Sequence, residues 1–269
     1  MERVLFLPVH KGYGYTFAAM YTLKKSLGQH FLKDEAVCRQ IVASLEQHAF
    51  TNLVEVGPGG GALTKYLLQL PNINFKAVEL DDEKVVFLKN TYPQLTDKII
   101  AQSILEIEPP FHEPFTLIGN FPYNISTEIV FKIIDWKENI QCAVGMFQKE
   151  VAQRLAAKEG SKIYGVTSVL TQAYFEVEYL FEVDEQSFNP PPKVKSAVIR
   201  MTPKKEKVEM KSPVKFKALV KAAFNQRRKT LRNAVKPFFM PDVLNDPIFN
   251  KRAEQLSVAD FAALSFQMQ

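Results

Sequence analysis

The stretch "GNFPYNIS" (119–126) follows the short apolar segment "FTLI" and places an amide, an aromatic ring, a proline and a second aromatic ring side by side. A turn needs a glycine and a proline, but not this whole set. The side-chain oxygen of Asn120 and a backbone carbonyl near Phe121 or Pro122 can accept both hydrogens of an exocyclic amine, such as N6 of adenine. Tyr123 can stack on the base, which is worth about 1–3 kcal/mol. The alternative interpretation is a proline turn that holds two core aromatic residues.

Two earlier stretches have residue types that suit a nucleoside. The glycine-rich stretch "EVGPGGGALT" (55–64) allows a tight turn and a close approach of the backbone to a ligand. It lacks the Gly-Lys-Ser/Thr sequence of a phosphate-binding P-loop. Glu79 lies 22 residues after Gly57, at the end of "AVEL", where a carboxylate can accept hydrogen bonds from ribose hydroxyls. Together these features predict a nucleoside cofactor, without distinguishing a dinucleotide from S-adenosylmethionine.

The elements that must position these residues alternate between strand and helix. The predicted strands are 52–56, 74–80, 98–101, 115–119 and 140–147, followed by a final strand pair at 173–183 and 195–201. The predicted helices are 62–70, 81–90, 126–136 (with Ser126 as its cap) and 148–157. This alternation predicts an α/β fold with a doubly wound, mainly parallel sheet. Ligands bind beyond the carboxyl ends of such strands, and all three stretches above fall there.

The basic character of the chain is confined to its C-terminal quarter. The 269 residues are 46% hydrophobic and carry a net charge of +5. Residues 1–202 have a net charge of −3, whereas residues 203–269 have 14 basic and 6 acidic side chains. The junction "RMTPKKEKVEMKSP" (200–213) is charged and is bounded by prolines, which predicts a linker. A basic segment next to a nearly neutral domain favours a polyanionic partner, with a solvated charged face as the alternative.

Other features indicate where the protein works. Cys38 and Cys142 are far apart and form no metal-like cluster, which fits a reducing compartment, so we expect a cytoplasmic protein without a bound metal. No apolar run is long enough to span a bilayer. We interpret residues 1–21 as a loose tail, or as translation begun upstream of a start at Met20, because His10 and Lys11 interrupt the apolar run that a signal peptide needs.

Five motifs occur in an order that resembles one known family. They are "KKSLGQHFL" (24–32), "VEVGPGGGALT" (54–64), "VELDDE" (78–83), "GNFPYNIS" (119–126) and "FNPPPKVKSAVIR" (188–200). Together they resemble the ribosomal RNA adenine N6,N6-dimethyltransferases. The last motif is more similar to the small-subunit enzymes than to the large-subunit enzymes of antibiotic resistance. The resemblance implies a Rossmann-like S-adenosylmethionine-dependent methyltransferase domain over 22–204 and a small, basic, helical RNA-binding domain over 205–269.

The resemblance also implies the reaction. S-adenosylmethionine would donate methyl groups to N6 of two adjacent adenosines in a hairpin loop near the 3′ end of small-subunit ribosomal RNA, with two methyl groups for each. The implied partner is this RNA or the immature small subunit, and we expect a monomer. The residues implied to contact the cofactor are His30, Leu32, Gly57, Glu79, Ser103 and Asn120. Those implied to act on the target adenine are Asn120, Tyr123 and Phe188, with the two rings on opposite faces of the base.

Ser103 is the position that departs from the family pattern. The family usually has an acidic residue there, near the adenine of the cofactor, whereas "AQSILEIE" places Ser103 or Gln102 at that point. A hydroxyl can still bond to an amino group, but without charge. We therefore expect this departure to affect cofactor affinity rather than the chemistry.

The stretch "AAFNQRRKTLRNAVK" (222–236) contains the densest group of basic residues. Its periodicity predicts that Phe224, Leu231 and Val235 pack inward on a helix or a helix pair. We call the four cations between them the basic cluster and predict that they project outward and contact RNA phosphates; they are Arg227, Arg228, Lys229 and Arg232.

Two other classes of function remain open from the sequence. The chain could act mainly by binding, as a ribosome-assembly factor, but the glycine turn, Glu79 and Asn120 favour an enzyme because a binding protein has no use for them. A methyltransferase for a small amine is the other, and the basic C-terminal segment argues against it.

Overall fold

A computed structural model of the chain describes residues 30–45, 49–226 and 228–269. The predicted N-terminal tail and Arg227 of the basic cluster lie outside these residues. The strands are β1 (Phe31–Leu32), β2 (Asn52–Val56), β3 (Asn74–Val78), β4 (Ile99–Ile100), β5 (Phe115–Asn120), β6 (Ile140–Gln148), β7 (Phe175–Val183), β8 (Phe188–Asn189) and β9 (Ser196–Pro203). The helices are α1 (Glu35–Ala43), α2 (Thr64–Leu67), α3 (Asp82–Thr91), α4 (Ser126–Asp135), α5 (Lys149–Leu155), α6 (Val166–Gln172), α7 (Pro213–Asn225), α8 (Leu231–Val235) and α9 (Val258–Phe266).

Seven strands form one sheet in the order β4-β3-β2-β5-β6-β9-β7. The ladders from β4 to β6 are parallel, and β9 pairs antiparallel with both β6 and β7. The predicted mainly parallel α/β sheet and the predicted final strand pair are therefore confirmed. Neighbouring residues of β2 face opposite sides, so that Leu53 and Val54 belong to two separate apolar cores, one on each face.

Several helices start at a side chain that satisfies free backbone N–H groups. Asp34 caps α1 by accepting hydrogen bonds from Ala36 N and Val37 N at 3.0 and 3.2 Å. Ser212 caps α7, where Pro213 at the first position needs no hydrogen-bond partner. The predicted cap at Ser126 is wrong. The short 3-10 turn of Tyr123–Ile125 runs directly into α4, so Ser126 is the first residue of the helix and Ile125 takes the cap position. The Ser126 hydroxyl donates to the carbonyl of Tyr123 in that turn.

A two-stranded ribbon brings distant motifs together. In it, β1 pairs antiparallel with β8, so that Phe31 lies opposite Asn189 and Leu32 opposite Phe188. The N–H of Lys33 extends the pairing by donating to the Ser187 carbonyl at 2.9 Å. The described end of the first motif, residues 30–32, and the start of the last motif at 188–200 are thus neighbours in space.

The C-terminal helices α7, α8 and α9 enclose a third apolar core. Phe224, Leu231 and Val235 are buried in it, as the periodicity predicted. Val169 and Leu170 of α6 belong to the same core, although they precede the linker in sequence. The linker, residues 204–212, joins β9 to α7. The C-terminal helices pack on α6 as well as on one another. Within the described residues, we find no helix that is long and apolar enough to cross a membrane.

Candidate active site

The glycine turn after β2 is built from residues in the left-handed region. Gly57 and Gly59 have φ angles of +66° and +54°, which residues with a side chain rarely adopt. The N–H of Gly57 donates to the Val78 carbonyl at 2.9 Å, and the N–H of Gly59 donates to Oε2 of Glu79 at 3.0 Å. The turn is therefore fastened to the end of β3, where Glu79 begins the next loop.

Glu79 is held rigidly at the edge of a cavity. It is 8% exposed, and its other oxygen, Oε1, accepts a hydrogen bond from the N–H of Asp81 at 3.0 Å. Burial raises the pKa of this carboxyl, and the backbone N–H groups of Asp81 and Gly59 oppose that rise. Each carboxylate oxygen has a second lone pair, so Glu79 can accept further hydrogen bonds from hydroxyl groups in the cavity.

Glu55 is a site residue that the sequence reasoning missed. It lies on β2, two residues before Gly57, is 1% exposed and borders the same cavity. The Thr64 hydroxyl donates to its Oε2 at 2.7 Å. Burial raises the pKa of Glu55 to about 8, and the nearby charge of Glu79 adds to the rise, so the carboxyl is protonated at neutral pH. A carboxyl inside a buried strand was the signal that could have identified it.

Asn120 ends β5 with a fixed orientation of its carboxamide. Its Nδ2 donates to the backbone carbonyl of His30 at 3.3 Å. A carbonyl can only accept, so this bond assigns Nδ2 to the His30 side and leaves Oδ1 as an acceptor. The half-buried side chain thus keeps an oxygen that can accept a hydrogen bond, and the predicted bond from an amine to that oxygen stays a prediction.

Tyr123 is anchored at both its hydroxyl and its ring. The hydroxyl makes a hydrogen bond with the Ser196 hydroxyl at the start of β9. Its ring centroid lies 5.5 Å from that of His30, with the planes tilted by 31°. His30 in turn is fixed because its Nδ1 lies 2.9 Å from the Pro190 carbonyl, which requires a proton on that nitrogen. The half-buried Tyr123 ring is held as a platform beside Asn120.

These groups share one cavity with a volume of about 210 Å³. Leu80 and Ile104, which the sequence reasoning did not single out, also line it. Leu80 is apolar yet 54% exposed, which suits a surface that a planar ring can cover. The predicted residues on its wall are His30, Leu32, Gly57, Glu79, Ser103, Asn120 and Tyr123.

Ser103 lies on the wall of this cavity together with Gln102. Its hydroxyl accepts a hydrogen bond from the N–H of Leu105 at 3.3 Å, which ties the side chain to the backbone two residues further along the chain. The hydroxyl hydrogen is free to donate to an acceptor in the cavity.

Phe188 lies outside the lining of the cavity. Its side chain is 0% exposed and packs in the core that also contains Leu32 and Val183. The structure therefore brings Tyr123 to the cavity but not Phe188, and the second ring of the expected sandwich stays a prediction. Phe188 supports the cavity wall indirectly. It lies on β8, which pairs with β1, and β1 directly follows His30 of that wall.

The described part of the basic cluster divides into two kinds of residue. Arg228 and Lys229 are exposed, at the turn between α7 and α8. Arg232 is half-buried, and one of its terminal nitrogens donates to Asn250 Oδ1 at 3.3 Å. Arg228 and Lys229 are thus free to meet a polyanion, whereas Arg232 also ties α8 to the following segment.

No group of three or more metal-ligating side chains is found within residues 30–45, 49–226 and 228–269.

A model of the family described as ribosomal RNA adenine dimethylase matches residues 20–268. The chain belongs to this family. The resemblance that the five motifs indicated is thereby confirmed, and with it the prediction of an adenine dimethyltransferase that acts on ribosomal RNA.

Curated relatives of this family are similar to the chain over most of its length. Ribosomal RNA small subunit methyltransferase A of Cytophaga hutchinsonii is 50% identical over 246 residues, which are 90% of this chain and 95% of that protein. Its namesake in Bacteroides fragilis is 51% identical over 251 residues, or 91% of this chain and 92% of that one. The crystal structure of a dimethyladenosine transferase from Plasmodium falciparum superposes with a TM-score of 0.73 at 26% identity, covering 86% of this chain and 94% of that one. The predicted Rossmann-like methyltransferase fold is confirmed by this likeness.

Proposed function

We propose that this protein transfers methyl groups from S-adenosylmethionine to N6 of two adjacent adenosines in the 3′-terminal hairpin loop of small-subunit ribosomal RNA. Each adenosine receives two methyl groups. The RNA, or the immature small subunit that contains it, is the partner, and the reaction takes place in the cytoplasm, where subunits mature. The names of the relatives at about 50% identity support the small subunit as the target.

The observation that carries this proposal is the orientation of Asn120. Its Nδ2 is committed to the His30 carbonyl at 3.3 Å, so Oδ1 is the atom left for an incoming amine. Beside it, the same cavity offers a ring at Tyr123 and a carboxylate at Glu79. One cavity thus has a place for an amine, a face for a base and an acceptor for ribose.

The residues of the cavity fit S-adenosylmethionine. Glu79 is held by two backbone N–H groups and keeps lone pairs for the two ribose hydroxyls. Leu80 and Ile104 supply apolar walls for the adenine ring, and Ser103 lies where its hydroxyl can bond to the ring edge. Gly57 lets the backbone approach the methionine part closely, since it has no side chain and its φ of +66° is one that residues with a side chain rarely adopt. When bound, S-adenosylmethionine supplies a methyl group on a positively charged sulfur.

The protein prepares the amine rather than removing a proton with a strong base. The N6 lone pair of adenine is conjugated into its ring, which makes it a poor nucleophile. Asn120 Oδ1 and a backbone carbonyl that accept the two amine hydrogens fix the nitrogen and favour a more tetrahedral shape. The Phe121 carbonyl is the better second acceptor, because the Pro122 carbonyl already accepts from Ile125 N at 3.2 Å. Methylation acidifies the nitrogen, so its proton can leave to water.

Alignment then accounts for most of the rate. An amine held about 3–3.5 Å from the methyl carbon, in line with the bond that breaks, gains the effective concentration of an intramolecular reaction. Tyr123, anchored to Ser196, stacks on the base once it has been splayed out of its loop, which costs least in single-stranded RNA. The exposed Arg228 and Lys229 contact phosphates and position the RNA without reading its sequence.

Primer extension on ribosomal RNA tests this function in cells. Dimethylation of N6 blocks Watson–Crick pairing, so reverse transcriptase stops at modified adenosines. We expect paired stops near the 3′ end of small-subunit RNA in the parent strain, none in a deletion strain, and their return when the wild-type gene is supplied. An unchanged pattern in the deletion strain would refute the proposed target.

A further inference from the structure

A pair of glycines faces each other at the end of the two central strands. Gly119 of β5 lies opposite Gly145 of β6 in the parallel ladder, directly before Asn120 opposite Met146. Neither has a φ angle in the left-handed region, in contrast to Gly57, Gly59 and Gly61. The backbone conformation therefore does not require glycine at 119 or 145, and the reason must be space.

The ring of Phe121 occupies that space. A Cβ atom placed on Gly145 would overlap Cε2 of Phe121, and it would lie 2.7 Å from Cε2 of Phe147. A Cβ atom on Gly119 would lie 2.5 Å from the Val56 carbonyl oxygen and 2.7 Å from Cε1 of Phe121, on the opposite edge of the ring. Phe121 therefore spans both glycines, with 1% exposure, and meets Phe147 edge to face at a centroid distance of 5.1 Å. We call this space the glycine slot.

The glycine slot fixes the backbone on both sides of Phe121. Asn120 precedes the ring, and Pro122 and Tyr123 follow it, so the amine acceptor and the stacking ring proposed for the target adenine both lie within two residues of it. The N–H of Phe121 also donates to the Met146 carbonyl at 3.2 Å, which ties the same residue to β6. Since Phe121 is held by its ring and by its N–H, a displaced ring must move the backbone that carries Asn120.

We propose that Gly145 is a positioning residue for methyl transfer: by lacking a side chain, it lets Phe121 seat in the glycine slot and so sets the position of the Asn120 carboxamide. Gly145 is not among the residues that line the cavity, and it lies outside the five motifs. The inference rests on the proposed reaction at Asn120, and it adds a residue of β6 on which that reaction depends.

The test compares three variants with one matched control. Gly145→Ala adds a methyl group in the slot, Phe121→Leu replaces the ring with a smaller aliphatic side chain, and the double variant combines both. Gly165→Ala is the control, because a Cβ atom there meets nothing within 4 Å and its φ of −163° suits any residue. Each protein is assayed for single-turnover methyl transfer to undermethylated small subunits, for S-adenosylmethionine affinity and for thermal unfolding, and Gly145→Ala is also crystallised.

We expect Gly145→Ala to lower the single-turnover rate by about 100-fold, since misplacement of about 1 Å has such an effect, while cofactor affinity changes by less than about fivefold. The double variant should recover the rate of Phe121→Leu alone, because the smaller side chain leaves room for the added methyl group and for the ring of Phe147 to shift away from it. Gly165→Ala should match the wild type. The crystal structure of Gly145→Ala should show Asn120 displaced and its bond to the His30 carbonyl broken.

Three results would overturn the proposal. One is a wild-type rate for Gly145→Ala, another is an unmoved Asn120 in its crystal structure, and the third is a double variant no faster than Gly145→Ala. If Gly145→Ala does not fold, the double variant decides alone, by matching or failing to match Phe121→Leu. Wild-type protein that binds S-adenosylmethionine but methylates no small subunit would refute the proposed function instead, and the crystal structure would still test the slot.

Discussion

Replacement of Asn120 by alanine removes the acceptor that the account places on the reacting amine. The substitution deletes Oδ1 and also the Nδ2 that bonds to the His30 carbonyl at 3.3 Å, so that this carbonyl is left without its partner. The first deletion acts on the transition state, in which the nitrogen lone pair must leave conjugation with the ring. The second acts on the resting structure, next to the cofactor.

The two deletions have effects of different magnitude. A positioned hydrogen-bond partner for a reacting group contributes about 2–4 kcal/mol to the barrier, which corresponds to a rate about 30- to 1000-fold lower. A neutral hydrogen bond at a half-buried site contributes about 0.5–1.5 kcal/mol, so cofactor affinity should weaken by no more than about tenfold. Single-turnover kinetics on a preformed complex with S-adenosylmethionine and undermethylated subunits separate the two effects.

Asn124→Ala provides a matched control for this measurement. Asn124 lies on the same loop and the same cavity wall, and its side chain is exposed. We expect its rate to stay within about threefold of wild type, since an exposed amide gains little from its hydrogen bonds. An unchanged rate for Asn120→Ala, or an equal reduction in both variants, would remove Asn120 from the mechanism.

Three further predictions concern the cofactor, pH and salt. Ser103→Asp should tighten S-adenosylmethionine binding in isothermal titration, because a carboxylate accepts from the adenine amino group more strongly than a hydroxyl does; weaker binding would mean that the role assigned to Ser103 is wrong. At a pH between 4.5, the ordinary pKa of Glu55, and about 8, its pKa in the folded protein, Glu55 is protonated when folded and ionised when unfolded. The free energy of unfolding of the wild type therefore falls as pH rises through this range. In urea unfolding from pH 5 to 8, the stability of Glu55→Gln relative to wild type should therefore increase, by at most about 1.4 kcal/mol per pH unit, and a difference that does not vary with pH would contradict this. Replacing Arg228 and Lys229 with Gln should lower the salt slope of RNA binding by about 0.7–0.9 for each phosphate that is no longer neutralised and leave cofactor affinity unchanged, whereas an unaltered slope would make them ordinary surface charges.

The positions of the cavity residues followed from the sequence because the strands before Gly57 and Asn120 end within one residue of their predicted ends. β2 has the predicted bounds, 52–56, and the strand before Asn120 differs from prediction by one residue. In a parallel sheet, the carboxyl ends meet at one edge, so Gly57, Glu79 and Asn120 had to come together. The expected position of these groups therefore depended on topology alone.

Contacts between distant segments were not predictable in this way. Nothing local shows that Gly145 faces Phe121, because the pairing depends on the register of β5 against β6. The burial of Phe188 depends on β1, whose partner lies about 160 residues away in sequence. Helix α6 went unpredicted, and its apolar residues pack in the C-terminal core rather than on the sheet.

Methyl transfer to purified undermethylated small subunits tests the central claim most directly. The protein is incubated with these subunits and with S-adenosylmethionine labelled in the methyl group, and the RNA is digested for mass spectrometry of fragments and nucleosides. We expect N6,N6-dimethyladenosine at two adjacent positions of the 3′-terminal hairpin loop, and with Asn120→Ala only a small fraction of that label on the single-turnover time scale of the wild type. Subunits that bind the protein and remain unlabelled, or label found on another base or in large-subunit RNA, would contradict it.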